Sequence, residues 1–213
     1  MSVLEDPQDP IRKQLVEARR AQILDAAASV IAAKGFHRAT TREIATAAGV
    51  AEGTIYNYFE GKDDLLISMV TRLAEMDHLS VELEEALRGD VKDFIIDMFR
   101  HRMQLIRQNH ETIQAVLPEM FTNPALRERF YQQFLSHTTT LLEEYVGARV
   151  GMGQVQPVDV ALAVRAIQST FVGMLVLRIL GDELLQARWD EMPEVLGTIV
   201  FEGLRPKAEG VGG

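Results

Sequence analysis

The side chains capable of covalent or proton-transfer chemistry do not assemble into a site. The chain has no cysteine, which excludes disulfides, thiolate zinc ligands and cysteine nucleophiles. Carboxylates occur in adjacent pairs: Asp63/Asp64, Glu84/Glu85 and Glu143/Glu144. Neighbouring side chains on a helix point about 100° apart, so these pairs do not converge on one substrate atom. His101 and His110 have no carboxylate beside them at metal-ligand spacing, so no metal site is expected. Motifs of the G-x-S-x-G, phosphate-loop and H-E-x-x-H types are absent. The expectation is a protein that is not an enzyme and needs no cofactor.

One stretch concentrates a different chemistry, that of reading phosphates and base edges. It holds Thr41, Arg42, Glu52, Gly53, Thr54, Tyr56, Asn57, Tyr58 and Lys62. Hydroxyls and amides on short arms can address base edges, and cations can address phosphates. The apolar residues between them carry a register. With Thr41 as position one, Ala45 is at five, where a larger side chain would obstruct a close helix crossing. Gly49, at nine, can take the positive φ of a tight turn. Ile44, Ala48, Val50, Ile55 and Tyr58 fall at four, eight, ten, fifteen and eighteen. These are the inward positions of a helix-turn-helix, whose second helix enters the DNA major groove. An ordinary corner between two helices is the competing reading.

Charge agrees with the first reading. The chain of 213 residues carries a formal net charge of −9. Residues 11–62 hold eight basic and five acidic side chains, a local net of +3 against −12 for the remainder. A basic module on an acidic body suits specific DNA binding, because phosphate contacts supply much of the affinity. Arg12, Lys13, Arg19 and Arg20 fit either a phosphate-contacting arm or a plain solvated helix face.

The elements that must position these groups are helical almost throughout. Ile23, Ala26, Ala27, Val30 and Ile31 follow the i, i+3, i+4, i+7, i+8 pattern of one buried face, and Gly35 supplies a stop. Thr40 and Glu43 form a capping box for the next helix, which ends at Gly49. Further helices are expected over about 52–59, 62–87 with an interruption near 77–80, 91–109, 111–120, 124–146, 158–180 and 193–204. Pro118 should end or kink its helix, and Asn123-Pro124 should start one. The stretch 147–157, with three glycines, reads as a loop. The fold class is all-α: a DNA-binding domain of three helices over 11–62, a helical ligand-binding and dimerisation bundle over 63–204, and flexible tails at 1–10 and 205–213.

The string from Thr40 to Ala45, the string from Gly49 to Phe59, and Lys62-Asp63-Asp64-Leu65-Leu66 closely resemble the N-terminal domain of TetR-family transcriptional regulators. The resemblance covers about residues 19–66. It implies a DNA-binding N-terminal domain and C-terminal helices that enclose a small-molecule pocket and form a dimer. It places Thr41, Arg42 and Lys62 against phosphates, with Glu52, Gly53, Thr54, Tyr56, Asn57 and Tyr58 on the recognition helix. Ala51 stands where many members have Ser or Thr, so a helix cap or phosphate contact is missing. A helical ligand carrier or interaction scaffold would explain the later helices but not the helix-turn-helix register.

The middle helices offer Met98, Met103, Ile106, Leu117, Met120, Phe121, Phe130, Phe134 and Phe171 as an apolar pocket lining, with Arg102 and Gln168 to orient a ligand. Arg102 could neutralise an anionic ligand, such as a fatty acid or its coenzyme A ester. The same side chains would serve equally as core. Val164, Ile167, Phe171, Met174, Val195 and Ile199 are the expected dimer face, two helices from each chain making a four-helix seam. The longest apolar run near the C-terminus, 171–177, is far below the ~20 residues of a membrane span. The expected partners are an operator in double-stranded DNA, a small apolar effector and a second copy. The expected location is cytoplasmic, away from any membrane.

Overall fold

The structure is a computed structural model that describes residues 10–76 and 86–206. The described residues are helical, with no strand among them. They fall into two compact units, one within Met1–Leu73 and Asn109–Phe130, the other within Ala74–Gln108 and Tyr131–Gly213. The first unit therefore takes in helices well beyond residue 62. The expected interruption near 77–80 lies outside the described residues, as do nearly all of the expected tails.

The first unit contains α1 (Pro10–Lys34), α2 (Thr41–Ala47), α3 (Glu52–Tyr56) and most of α4 (Lys62–Met76). It also contains α6 (His110–Thr122) and α7 (Pro124–Phe130). Ile23, Ala27 and Ile31 of α1 bury their shared face against Ile44 of α2, Ile55 of α3 and Leu65 of α4. Each is almost wholly removed from water, worth roughly 1.5–3 kcal/mol for the larger aliphatic side chains. Ala115, Val116 and Leu126 of α6 and α7 close the same core. The Thr40–Glu43 capping box is present in full.

Pro118 lies inside α6 and does not end it. Proline removes the N–H that would have met the Gln114 carbonyl. Gln114 is exposed, so water can satisfy that group.

The second unit is organised around α5 (Val91–Gln108). Asp93, Asp97, Arg100, Gln104 and Arg107 form its one exposed stripe, at helical spacing. The other faces are largely buried by α8 (Ser136–Gly151), α9 (Val160–Ile179) and α11 (Met192–Leu204). Arg100 pairs with Asp97 and reaches Glu194 at 2.6 Å; Arg107 reaches Asp190 at 2.8 Å. Gly197 of α11 makes the closest crossing, since a methyl there would stand 2.3 Å from Ile96 Cγ1.

Three differences from the expected elements have local causes. A π-helical turn, Tyr131–Leu135, separates α7 from α8 where one continuous helix was expected. The helix α8 continues through Gly147 to Gly151, so the glycine-rich loop is shorter than 147–157. Arg149 explains the extension. It is 2% exposed, and its guanidinium donates to the Ala86 carbonyl at 3.0 Å and the Gly89 carbonyl at 2.6 Å. That anchoring outweighs the ~1 kcal/mol a helical glycine costs. Finally, α10 (Glu183–Ala187) is capped by Asp182, and a 3₁₀ turn, Trp189–Glu191, buries the single tryptophan; both fall between expected helices.

Candidate nucleic-acid interface

The turn between α2 and α3 has the geometry that the spacing requires. Gly49 takes φ +65°, a left-handed value that favours glycine. Its N–H donates to the Thr46 carbonyl at 3.1 Å, and the Val50 N–H donates to the Ala45 carbonyl at 2.9 Å. Ala45, at 2% exposure, and Ile55, at 0%, lie where the two helices cross. Ala51 is the N-cap of α3 and provides no side-chain cap.

The outer side of this pair carries a hydrogen-bonded triad. Thr41 Oγ1 donates to Glu52 Oε1 at 2.9 Å and lies 3.2 Å from the Tyr56 hydroxyl. Three residues that the sequence offers separately are thus tied across α2 and α3. Tyr56 is 55% exposed, so its ring stands out from the surface while its hydroxyl is oriented. Arg42, Glu52, Gly53 and Asn57 are exposed beside it, and Thr54 is half-buried. A methyl on Gly53 would meet nothing within 4 Å, and its φ is not left-handed. The fold itself therefore does not require glycine there.

Two of the residues that the resemblance places at DNA are engaged within the fold. Tyr58 packs against the core of the first unit. Lys62 was expected on a phosphate, but its ammonium donates to the Phe36 and Ala39 carbonyls, both at 2.8 Å, and sits 4.6 Å from the Phe36 ring centroid. The structure gives that ammonium to the loop between α1 and α2. The reason is local. Gly35 ends α1, and the carbonyls after it need donors.

Sequence reasoning missed the braces behind α3. Arg20 donates to the Tyr58 carbonyl at 2.8 Å and lies over the Phe59 ring at 4.6 Å. Gln22 donates to the Ala48 carbonyl at 2.7 Å. Both fix α1 against the ends of α2 and α3. No local pattern could have revealed pairs 38 and 26 residues apart.

Behind this surface, the titration of Glu43 is displaced. Its carboxyl is held below its ordinary value, chiefly by the hydrogen bond from Lys34 and then by the Thr40 backbone N–H. The Lys34 contact is 2.6 Å and ties α2 to the end of α1.

This geometry has known counterparts. The family model described as "Bacterial regulatory proteins, tetR family" matches residues 23–69, from the buried half of α1 into α4. These residues form a TetR-family DNA-binding domain. The fatty acid metabolism regulator protein of Bacillus subtilis is 29% identical over 166 residues, covering 76% of this chain and 84% of that one. A structure of the fatty acid degradation regulator FadR from Bacillus halodurans superposes with a TM-score of 0.74 at 27% identity, covering 95% of this chain and 100% of that one. FadR from Bacillus subtilis, solved in complex with stearoyl-CoA, gives a TM-score of 0.69 at 27% identity, covering 85% and 95%. The chain is a DNA-binding transcriptional regulator.

The other expected site residues of this regulator divide between the two units. Met98, Arg102, Met103, Ile106 and Phe171 are buried in the second unit. Gln168 is there too, its amide donating to Thr139 Oγ1 at 2.9 Å. Leu117, Met120, Phe121 and Phe130 belong to the first unit. Met120 and Phe130 pack on its core, whereas Phe121 is 73% exposed. The Phe134 side chain lies outside the described residues.

The expected dimer helices present a different face. Val164, Phe171 and Met174 are buried within their own unit, and Ile167 is half-buried, so these residues are largely unavailable to a second chain. The outward stripe of α9 is Leu162, Ala166, Ser169, Thr170, Gly173 and Leu177. Val195 and Ile199 of α11 are exposed. The two stripes of α9 are adjacent and both apolar or small, so periodicity alone could not tell which one turns inward. By length and composition, α9 could also cross a membrane, although its longest unbroken apolar run is short.

Proposed function

We propose that the chain is a homodimeric repressor that holds a palindromic operator and releases it when a small, largely apolar ligand with an anionic end binds the second unit. The dimer reading rests on the outward stripe of α9 and on Val195 and Ile199 of α11. Small residues at helical spacing let a second copy approach closely, and self-complementary faces pair by two-fold symmetry. Two recognition helices would then meet successive major grooves ~34 Å apart. We read the apolarity of α9 as that of a dimer seam, so the expected location remains the cytoplasm.

The observation that carries the ligand class is Arg102. It is 6% exposed on a helix whose neighbouring positions Met98, Phe99 and Met103 are buried and apolar. Its guanidinium donates to Thr138 Oγ1 at 2.9 Å and lies 5.8 Å from the Phe171 ring centroid. A cation in such surroundings suits a carboxylate or phosphate attached to an apolar chain. The fatty acid regulators among the relatives, one solved with stearoyl-CoA, support an acyl ligand. The ligand acts only through unequal affinity for the DNA-bound and released states. Neither role calls for catalysis or a cofactor.

The test starts from the palindrome that the purified protein selects from random duplexes. Long-chain acyl-CoA, free fatty acid and an uncharged alcohol of equal chain length are then titrated into the complex. Release by an anionic acyl compound, lost in Arg102→Met while operator binding persists, is the expected outcome. Equal potency of the uncharged alcohol would remove the role of Arg102. Selection of no palindrome by a folded protein would remove the repressor reading itself.

A further inference from the structure

The hydrogen-bonded triad on the outer side of α2 and α3 has a direction. Thr41 carries one hydroxyl proton, and that proton goes to Glu52 Oε1 at 2.9 Å. A carboxylate has no proton to offer in return. The contact of 3.2 Å between Thr41 Oγ1 and the Tyr56 hydroxyl is then donated by Tyr56. The chain of bonds runs from Tyr56 to Thr41 to Glu52, and it commits both hydroxyl protons. What remains for a partner is a set of acceptors, above all the second carboxylate oxygen. Among the described residues, the Glu52 carboxylate accepts this one side-chain hydrogen bond, and the residue is exposed.

The place of Glu52 in the fold limits what such an acceptor can meet. It is the first residue of α3, with Ala51 as the N-cap. The leading residues of the second helix are those that reach base edges in a helix-turn-helix. Backbone phosphates repel a carboxylate, so its oxygen suits the floor of the groove rather than the phosphates along its sides. The carboxylate is also held in place. Thr41 binds it from α2, eleven positions earlier in the chain, so its orientation is set before any duplex arrives. Gly53, next to it, adds no side chain that would hold a duplex away.

We propose that Glu52 is a specificity-determining residue that accepts the N4 amino group of one cytosine in each half-site, with Thr41 as its positioning residue. The donors on the major-groove edges are the amino groups of cytosine and adenine, whereas guanine and thymine present acceptors. Adenine N6 stands beside the N7 acceptor of the same base, which a carboxylate meets unfavourably. Cytosine N4 has no acceptor beside it on its own groove edge, so a group that only accepts selects cytosine. The Thr41 hydroxyl serves the carboxylate and not a phosphate.

This inference rests on the DNA-binding reading, and the experiment separates the two. Palindromes are selected from random duplexes by intact protein and by Glu52→Ala, Glu52→Gln and Thr41→Val, each confirmed to be folded. Glu52→Ala should lose its preference at one base pair of each half-site and keep the others. In the palindrome of the intact protein that pair should be C·G. Exchanging it for T·A should weaken intact protein about tenfold or more, and Glu52→Ala less than about threefold. Glu52→Gln should move the preference at that pair to adenine, because an amide can accept from N6 and donate to N7. Thr41→Val should relax the same position with its salt slope unaltered; uniform weakening at every position with a lower slope would return Thr41 to a phosphate and overturn its positioning role. Unchanged preferences in both Glu52 variants overturn the proposal. So does A·T or T·A in the intact palindrome at the pair that Glu52→Ala frees, or loss of all binding by folded Glu52→Ala. Selection of no palindrome by intact protein would instead remove the DNA reading on which the proposal depends.

Discussion

Replacing Lys62 with methionine separates the two roles open to this side chain, because methionine keeps the apolar stem and removes only the ammonium. In the structure the ammonium donates two hydrogen bonds of 2.8 Å to the Phe36 and Ala39 carbonyls. Hydrogen bonds from a charged donor contribute about 1.5–3 kcal/mol each. Lys62 is half-buried, so water can reach the carbonyls and the lower figure applies. The Phe36 ring adds about 0.5 kcal/mol. The expected loss is about 3.5 kcal/mol, or roughly 7–14 °C in Tm for a chain of this size. Trp189, the single tryptophan, belongs to the second unit, so its fluorescence would not report on this loss. Circular dichroism in urea, and amide exchange over residues 36–62, at fixed protein concentration, would. Operator affinity, measured well below the transition, should change less than threefold, with its salt slope unaltered. A phosphate role makes the opposite demand. Two lost contacts per dimer lower the slope by about 1.8 and leave stability intact. That second pattern would refute the assignment of the ammonium to the loop.

Three further outcomes follow from the same geometry. Gly53→Ala should fold as well as the parent or up to ~1 kcal/mol better, since the added methyl meets nothing and alanine favours helix; operator affinity should fall at least tenfold, and a retained affinity would show that DNA does not approach this backbone. Glu43 contributes stability that is present above its unfolded value near 4.5, because its folded carboxyl titrates lower, and that is lost as pH falls through the folded value; Glu43→Gln should flatten the acid limb of a stability profile between pH 6 and 3, and an unchanged limb would assign it to other carboxylates. Leu177→Glu combined with Ile199→Glu should give monomers by sedimentation with helicity intact, because both side chains are exposed in the single chain; a persistent dimer would move the interface elsewhere.

What the sequence reveals here depends on whether a residue's surroundings lie within reach of its own helix turn. The capping box at Thr40 and Glu43, the left-handed Gly49 and the buried stripe of α1 are all local. Their spacing alone dictates hydrogen bonds and facing directions, and each is present in the structure. The dimer helices illustrate the opposite case. On α9, Val164, Phe171 and Met174 face one way and Ala166, Thr170 and Gly173 another, and both stripes satisfy helical periodicity. Only the position of α5 decides which is buried, with Phe99 stacking on Phe171 at 6.3 Å between ring centroids. Gly147 reads as a loop residue until the anchoring of Arg149 by carbonyls about sixty positions away is known.

The same distinction separates Lys62 from Tyr56. A tyrosine at an outward position of a five-residue helix has few partners of its own to satisfy it, and the Thr41 hydroxyl is supplied by the adjacent helix of the same motif. A lysine that opens α4 sits over a loop whose carbonyls have left α1 without internal donors. Those carbonyls are invisible in a motif defined by side chains, yet they bind an ammonium as well as a phosphate does. The Lys62 ammonium is thus engaged within the fold, whereas Arg42, beside the triad, is exposed. Operator affinity and its salt slope should therefore fall more on Arg42→Gln than on Lys62→Met; titrations of both variants at two salt concentrations would measure the difference, and an equal fall would return Lys62 to the phosphates.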